Sequence, residues 1–566
     1  MKIDMKKMKR FLTLFLAFAL ALTVFVGCSN NNDAGKKDDE KETEEVGDNE
    51  EKNKKKAGYE TSASKYGNSY PLDSEGVVLT YWRPTTAAVQ KSAPNNYGDL
   101  PFAQELEKKT GVKIEYIHPS LTNAAEKFTL MIASGELTDI IGYNIQNSYT
   151  GGAQQAIDDG VIHQLNVEGN NMLEAWAPDY NALLHKYPDT VLKEAKTDKG
   201  AIYAFGTVAD DNRLNTTAGP IVRGDWLEEL GLDTPKTIDD WYVMLKAFKE
   251  KKGATAPLSL SQLGFYNGFI SGAYGHNLSF YRDGNKVKYA PMEDGYKDYL
   301  ATMNKWYTEG LFDSGFDTKD AATVNAQLLD GRSGATWNAL GGGIGTLMSN
   351  AEATGSGAKY IGVPYPTLDG SKSEFAQASA KFNPVTCVSK QCKDPELAVK
   401  WLNYGYTDEG HMLYNFGIEG VSYQMVDGYP TYTDEVKFNP TLTMQEAFAK
   451  YSQAGGAGGG GMYRQDPRYL EQYAVRPEQK TAHAVWCDTN AFDHYVPNTG
   501  VAEDDAWEYS QLLISIDTYV NEEYIKFIKG ERPLSDFDNF RNTLKEMGVE
   551  KLIKMRQEAY DRYLAR

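Results

Sequence analysis

Between residues 77 and 141, the pattern of apolar residues alternates between one typical of strands and one typical of helices. Residues 77–82 and 112–117 are rich in β-branched and aromatic residues, which is typical of strands. Residues 100–109 and 123–134 carry apolar side chains at helical spacing. A short apolar run at 139–141 completes the order strand, helix, strand, helix, strand. That order predicts an α/β unit with a parallel sheet that is wound on both faces by helices.

The ends of the first and third predicted strands carry candidate ligand-binding residues. In a doubly wound sheet, ligands lie beyond the carboxyl ends of the strands. Trp82 and Arg83 end and follow the first strand, and Tyr143 and Asn144 follow the third. We therefore expect these four side chains to line a site.

A second α/β pattern begins near residue 210 and supplies four more candidates. Arg223 and Trp226 lie at the start of a predicted helix. Trp337 and Asn338 lie at the end of a predicted strand that leads into a run of glycines. Because these residues lie beside a predicted helix start or strand end, we expect all four to face a ligand.

These residue types fit a carbohydrate ligand. Sugars present C–H faces and hydroxyl edges, so their sites combine flat aromatic rings with planar hydrogen-bonding groups. The chain has 9 Trp, 37 Tyr and 22 Phe, which is more than the filling of cores alone would require. The competing interpretation is that each tryptophan is a core residue, and it stays open for Trp82, Trp226 and Trp337.

The N-terminal pattern predicts a processing signal followed by a tether. A basic segment precedes a continuous apolar run at 11–27, and Cys28 follows. This order resembles a bacterial lipobox, in which the cysteine receives a lipid; the alternative is an uncleaved anchor helix. Residues 29 to 60 are nearly devoid of large apolar side chains, which predicts a solvated tether. We expect a lipid-anchored protein on the outer face of the membrane of a Gram-positive-type bacterium.

Charge and cysteine content argue against several classes of partner. The formal net charge is −19, and removal of residues 1–27, with five basic and one acidic side chain, leaves about −23. Such a surface repels nucleic acid. Cys387, Cys392 and Cys487 are an odd number with no metal-site spacing, although a Cys387–Cys392 disulfide stays open. We expect no nucleic acid, no metal and no other cofactor.

Catalytic motifs are missing from the sequence. G-x-S-x-G, H-E-x-x-H and the P-loop are absent, and the seven histidines are not paired at metal-ligand spacing. A glycosidase needs two suitably spaced carboxylates, and 78 acidic residues provide many chance pairs. We therefore predict a binding protein without catalytic residues, with a surface glycoside hydrolase as the alternative class.

Three segments resemble the extracellular solute-binding proteins of family 1. Residues 387–420 contain a hinge-strand pattern, then Lys-Asp-Pro-Glu at a helix start, then Thr-Asp-Glu-Gly. Residues 524–563 are similar to the large Gram-positive lipoproteins related to alginate- and rhamnogalacturonan-binding members, and 219–232 also fits. The resemblance implies a two-lobed type II periplasmic-binding-protein-like fold, with mixed sheets flanked by helices. It also implies capture of an oligosaccharide for an ABC permease. Several relatives carry a calcium loop where residues 251–255 offer no such ligands, so calcium is not carried over.

The pattern and the resemblance together predict the organisation of the chain. Its parts are a signal peptide at 1–27, a tether at 28–70, lobe 1 at 71–207 plus 386–420, lobe 2 at 208–385 plus 421–504, and a helical segment at 505–566. Hinge crossings are expected near 204–208, 382–388 and 417–421. We expect a monomer, and a peptide- or amino-acid-binding lipoprotein of the same architecture is the alternative function.

Overall fold

The computed structural model describes residues 64–566. The predicted signal peptide, the lipid-attachment residue Cys28 and the tether up to residue 63 lie outside the described residues. The strands are β1 Val78–Trp82, β2 Lys113–Ile117, β3 Ile140–Ile141, β4 Asn166–Val167, β5 Asn170–Asn171, β6 Phe205–Val208, β7 Ala218–Arg223, β8 Phe280–Asp283, β9 Lys286–Tyr289, β10 Ala335–Ala339, β11 Tyr360–Gly362, β12 Phe382–Val388, β13 Tyr423–Val426, β14 Tyr429–Tyr432 and β15 Tyr463–Arg464.

Helices cover both faces of the sheets and form the C-terminal part of the chain. They are α1 Ala87–Ser92, α2 Pro101–Thr110, α3 Ala124–Ser134, α4 Ile145–Ser148, α5 Gly152–Asp158, α6 Met172–Trp176, α7 Pro178–Lys186, α8 Val191–Ala195, α9 Gly224–Leu230, α10 Ile238–Lys252, α11 Gln262–Phe265, α12 Asp294–Thr308, α13 Ala321–Leu329, α14 Thr346–Thr354, α15 Pro395–Asn403, α16 Asp408–Phe416, α17 Asp434–Lys437, α18 Met444–Tyr451, α19 Pro467–Tyr473, α20 Pro477–Cys487, α21 Glu503–Lys529, α22 Phe537–Glu546 and α23 Val549–Ala565.

The predicted parallel unit is confirmed at the centre of a six-stranded mixed sheet. The strand order is β15-β6-β12-β3-β1-β2, and β1 pairs in parallel with both β2 and β3. Local signals fix these elements: α2 ends at Gly111, which has a φ of 73°. A side chain there would place a Cβ 2.2 Å from the carbonyl oxygen of Leu72, so the close approach requires glycine.

A second, three-stranded sheet is entirely antiparallel, with the order β10-β7-β11. In its register, Ala339 at the end of β10 pairs with Ala218 at the start of β7. Helix α20 packs on β7 and β11, and α9 packs on β11. The two sheets and their helices give an α/β architecture, as the sequence pattern predicts.

Two chain segments run side by side between the two sheets. Strands β6 and β12 pair antiparallel at the large sheet. Beyond them, the Ala209 N–H donates to the carbonyl of Lys381 at 2.8 Å. At the start of β7, the side-chain oxygen of Gln377 accepts from the N–H groups of Thr217 and Ala218 at 2.8 and 2.9 Å. This pair of segments lies at the first two of the expected hinge crossings.

Residues 421–464, which the sequence analysis assigned to the second lobe, lie instead on the first. Helix α18 packs against α1 and α2, and β15 joins the large sheet parallel to β6. Aromatic packing secures this position, because the Phe102 ring in α2 meets the Tyr414 ring of α16 at 5.1 Å and Tyr414 stacks on Tyr463 at 5.3 Å. The chain therefore leaves for the small sheet after β15 rather than at 417–421. The other lobe boundaries stay predictions.

The predicted boundary of the tether at residue 70 is too late. Tyr66 is buried, and its hydroxyl donates to the carboxylate of Asp394. Lys400 donates to the carbonyl of Gly67 and, at 2.8 Å, to the side-chain oxygen of Asn68. One buried aromatic residue in a polar stretch is enough to fix the chain here, a signal that average composition conceals.

The C-terminal helices connect both halves of the molecule. Helix α23 packs against β9 of the second lobe and against α8, which contacts β12 of the large sheet. Arg562 of this helix and Arg566, directly after it, form ion pairs with Asp198 at 2.6 Å each. None of the helices between residues 64 and 566 has the length and apolarity that a bilayer crossing requires.

Candidate functional site

Trp82 and Tyr143 lie together at the carboxyl edge of the large sheet. The Trp82 ring packs against the rings of Phe128 and Tyr143, with centroids 6.0 and 5.5 Å away, and only 5% of Trp82 is exposed. The structure thus brings these two predicted site residues into one aromatic cluster with a core residue of α3. Little of the Trp82 ring is therefore open to a ligand in this conformation.

Arg83 is buried and holds a glycine-rich loop over the end of β1. Its guanidinium lies 4.2 Å from the centre of the Tyr97 ring and donates to the carbonyls of Gly458 and Gly460. Thr86 supports the same loop by donating to the Ala457 carbonyl at 2.8 Å. Residues 455–461, six of which are glycine, therefore cover Arg83.

A small polar pocket of about 70 Å³ lies where β12 enters the large sheet. Four carboxamide side chains contribute to its lining: Asn144, Gln146, Asn383 and Asn498. Asn144 caps α4 by accepting from the Asn147 N–H at 3.1 Å, so its NH₂ group stays available for a ligand. Asn383 is exposed, with no hydrogen bond to its side chain among residues 64–566. The lining thus offers both amide donors and amide oxygen acceptors, which suits hydroxyl groups.

Glu194 and Lys196 add charge to the same pocket. The Glu194 carboxylate accepts from the N–H of Phe382, the first residue of β12, at 2.8 Å. Burial raises the pKa of Glu194 to about 7, against the opposing effects of that hydrogen bond and of Lys381 and Arg566. The pocket therefore holds a carboxyl group that changes its charge near neutral pH.

On the second lobe, Trp337 and Asn338 lie at the end of the small sheet that the two crossing segments enter. Trp337 is 8% exposed, and its indole N–H donates to the hydroxyl of Tyr365 at 3.0 Å. Asn338 donates to the side chain of Asn325 at 2.9 Å. This edge matches the location expected of a site between the two sheets.

Arg223 and Trp226 do not share that edge, contrary to expectation. Because β7 and β10 are antiparallel, Asn338 pairs with Gly219, and Arg223 lies four residues further along β7. At about 3.4 Å per residue, the separation is roughly 14 Å. Arg223 pairs with Asp225 at 2.6 Å and covers the Trp226 ring at 4.3 Å, which indicates a structural cluster. That the other six predicted site residues contact a ligand stays a prediction.

Several residues of this region escaped the sequence analysis. Asn383 lies inside a predicted strand, and Glu194 lies in a helix without any motif. Asn498 and Arg566 come from the distant C-terminal part of the chain. A carboxamide directly before Pro384 was the one local signal, since it marks an exposed position where the strand begins.

The described part of the chain shows no metal-site geometry. No group of three or more His, Cys, Asp or Glu side chains between residues 64 and 566 is arranged to hold a metal ion. Cys387, Cys392 and Cys487 are free thiols, which answers the open question of a Cys387–Cys392 disulfide. Burial raises the pKa of the Cys387 thiol well above its usual range, so it is unreactive at neutral pH.

The sequence is similar to those of a known family and of known proteins. The sequence profile of the family described as bacterial extracellular solute-binding protein matches residues 91–412, more than half of the chain. Lipoprotein LipO of Bacillus subtilis is 24% identical over 478 residues, covering 81% of this chain and 88% of LipO.

Two further similarities concern carbohydrate-binding proteins. The fructooligosaccharide ABC transporter substrate-binding protein FusA of Streptococcus pneumoniae is 22% identical over 514 residues, covering 84% of this chain and 89% of FusA. Among solved structures, the alginate-binding protein AlgQ2 without calcium superposes with a TM-score of 0.67 and 23% identity, covering 86% of this chain and 98% of AlgQ2. This structural similarity establishes the shared fold.

Proposed function

Because this chain belongs to the family of bacterial extracellular solute-binding proteins, we propose that it captures an oligosaccharide between its two lobes and delivers it to the permease of an ABC importer. The observation that carries this proposal is the polar pocket beside the crossing segments. Its carboxamides offer unpaired donors and acceptors in a position where aromatic residues are close by. That pairing of chemical groups suits a sugar.

The named ligands of similar proteins support the same class of ligand. FusA is described as a binder of fructooligosaccharides and AlgQ2 as a binder of alginate. A peptide- or amino-acid-binding site would hold the charged termini with paired Arg and Asp side chains. The arginine that lines the polar pocket, Arg566, is instead paired with Asp198 at 2.6 Å.

The proposal includes an anchor and excludes catalysis. We propose that Cys28 carries a lipid, because the order of basic, apolar and small residues before it is that of a lipoprotein signal, and LipO is itself described as a lipoprotein. The protein would then work as a lipid-anchored monomer on the extracellular face of the membrane. Its task is to bind and release, so no catalytic residue is assigned.

A thermal-shift screen of the full chain, purified in mild detergent, tests the ligand class. The panel contains plant and algal oligosaccharides, amino acids and short peptides. A ligand at 100 times its Kd stabilises the folded state by about 2.7 kcal/mol. We expect at least one oligosaccharide to raise the melting temperature. A shift with peptides or amino acids and with no sugar would contradict the proposal.

Asn383→Ala is the variant that tests the pocket. Its side chain is exposed, so truncation should leave the stability of the ligand-free protein unchanged. Loss of one hydrogen bond to a sugar costs about 0.5–1.5 kcal/mol, which weakens binding about 2- to 12-fold. Asn285→Ala, in the exposed turn between β8 and β9, is the matched control and should not change affinity. Equal effects of both variants would rule out a role for the pocket.

A further inference from the structure

A second cavity, of about 130 Å³, lies in the second lobe between α11 and α21. Five aromatic residues contribute to its wall: Phe265, Tyr266, Tyr296, Phe316 and Tyr524. None of these residues belongs to the polar pocket beside β12. The cavity is therefore a separate feature, and its chemistry is mainly apolar.

The aromatic wall is fixed by its own packing. The Phe265 ring lies 5.9 Å from the rings of both Phe316 and Tyr524. The hydroxyl groups of Tyr524 and Tyr299 are hydrogen-bonded to each other at 2.6 Å, so the polar atom of Tyr524 has a partner within the protein. Because these contacts are satisfied within the protein, the cavity keeps its shape without a ligand.

The rim of the cavity is polar and accessible. Tyr266 is 40% exposed, and its hydroxyl donates to the side-chain oxygen of Asn521 at 2.7 Å. Asp317, which also contributes to the lining, pairs with Lys529 at 2.7 Å. The Asn521 amide thus remains free to donate to a group that enters past Tyr266.

The cavity adjoins the edge of the small sheet that carries Trp337. The Ser259 N–H donates to the Ala335 carbonyl at 3.0 Å, and Leu258 forms a parallel β-bridge with Ala335. Because the two segments run in the same direction, the residues after Ser259 leave the sheet at the edge where β10 ends. A Cβ at Gly264 would lie 3.4 Å from that of Trp337. A ligand that contacts Trp337 is therefore close to Gly264, and the next residue, Phe265, lines the cavity.

Size and polarity define what the cavity can hold. An apolar cavity of about 150 Å³ holds one benzene-sized group, and one water occupies about 30 Å³ of liquid. A group of four to five heavy atoms therefore fits, but a disaccharide does not. A sugar hydroxyl inside would lose its hydrogen bonds among the aromatic rings, which is costly. A methyl group has no such cost, and the carbonyl of an acetyl group can stay at the rim, where the Asn521 amide can donate to it.

We propose that this cavity is a subsite for a methyl-bearing substituent of a sugar, the class that includes the methyl of a 6-deoxyhexose and the acetyl of an N-acetylated sugar. The inference rests on the proposed function, since it assigns a preference to the same oligosaccharide. It predicts that the protein distinguishes sugars that differ only in this substituent.

Two matched pairs of sugars test the preference by calorimetric titration of the full chain in mild detergent. One pair is diacetylchitobiose against cellobiose, and the other is 6′-deoxycellobiose against cellobiose, which differ only in a methyl group in place of a hydroxymethyl group. We expect the methyl-bearing member of at least one pair to bind about tenfold more tightly or better. Equal affinity within both pairs would overturn this inference but not the proposed function. The same holds if no member of either pair binds while other sugars of the screen do. A screen in which no carbohydrate binds would overturn the proposed function and, with it, this inference.

Val520→Phe places a ring into the cavity from α21, where Val520 is buried against it. We expect this variant to lose the preference for the methyl-bearing sugar of each pair, while its affinity for the unsubstituted sugar stays within about twofold of the wild-type value. Tyr266→Ala is the second variant, since its exposed side chain allows truncation without loss of the core. It should weaken the preference, and Tyr266→Phe, which keeps the ring, should retain most of it. A preference that survives both Val520→Phe and Tyr266→Ala would refute the assignment.

Discussion

Replacement of Glu194 by glutamine should change how the stability of the protein depends on pH. Glu194 lies beside the polar pocket and accepts a hydrogen bond from the first residue of β12. Lys381, just before that strand, and Arg566, from the C-terminal helix, favour its charged form, but burial has the larger effect and raises its pKa from 4.5 to about 7. The other ionisable groups near it are Lys196 and two tyrosines, Tyr495 and Tyr563.

The sign of the effect follows from the raised pKa. The folded state binds the proton of Glu194 more tightly than the unfolded state, so protonation stabilises the fold. This contribution is complete below pH 4.5 and is lost as the pH rises through 7. Between pH 5 and pH 8, it amounts to at most about 2.5 kcal/mol. The glutamine side chain of the variant would be neutral throughout and would keep an oxygen for the Phe382 N–H.

Urea unfolding of the wild type and of Glu194→Gln at pH 5 and pH 8 measures the effect. The variant should gain stability relative to the wild type as the pH rises, by up to about 2.5 kcal/mol. Glu136→Gln, at an exposed position, is the control for loss of one negative charge. If the difference in free energy of unfolding between wild type and Glu194→Gln is the same at both pH values, the carboxyl does not titrate in this range and the argument fails.

Three other outcomes are expected. Cys28→Ala should move the protein from the detergent phase to the medium; retention in membranes would show that residues 11–27 are an uncleaved anchor. Trp337→Ala should lower both the affinity for the sugar and the melting temperature of the ligand-free protein, because the side chain is only 8% exposed and is hydrogen-bonded to Tyr365. Unchanged affinity would show that Trp337 is only a core residue. Small-angle scattering should show a smaller radius of gyration with a saturating oligosaccharide, and an unchanged curve would contradict closure of the lobes.

The elements of the first lobe were predictable because their signals are local. A strand of β-branched residues followed by a helix that ends at glycine needs no knowledge of the rest of the chain. Gly111 illustrates this, since its positive φ and its contact with Leu72 leave no room for a side chain. The parallel order then follows from the alternation of strands and helices.

The candidate site was only partly predictable, because a sequence does not show strand direction in the second lobe. The rule that ligands lie at carboxyl ends holds for parallel strands. Strands β7 and β10 are antiparallel, so their carboxyl ends, at Arg223 and at Trp337 with Asn338, lie at opposite edges of the sheet. The same residue types therefore form a structural cluster at one edge and a site candidate at the other.

Burial is the second property that local patterns could not supply. Arg83 follows a strand, as a ligand-binding arginine would, yet the chain returns more than 370 residues later to place a glycine-rich loop over it. Asn383, within a predicted strand, is conversely exposed at the pocket. Both outcomes depend on contacts between distant segments, which no window of the sequence contains.

The position of Asn383 links recognition to motion. It is the second residue of β12, which continues directly from residues 377–381, one of the two segments that run between the sheets. A sugar that bonds to Asn383 therefore acts on the crossing itself, while Trp337 and the aromatic cavity belong to the other lobe. A ligand shifts an equilibrium between open and closed forms only by binding one form more tightly. Contacts divided between the crossing and the second lobe meet that requirement, because both sets can form together only when the lobes approach. We therefore expect Asn383→Ala to reduce the ligand-induced change in radius of gyration as well as the affinity, which a change in contact energy at a rigid site would not do.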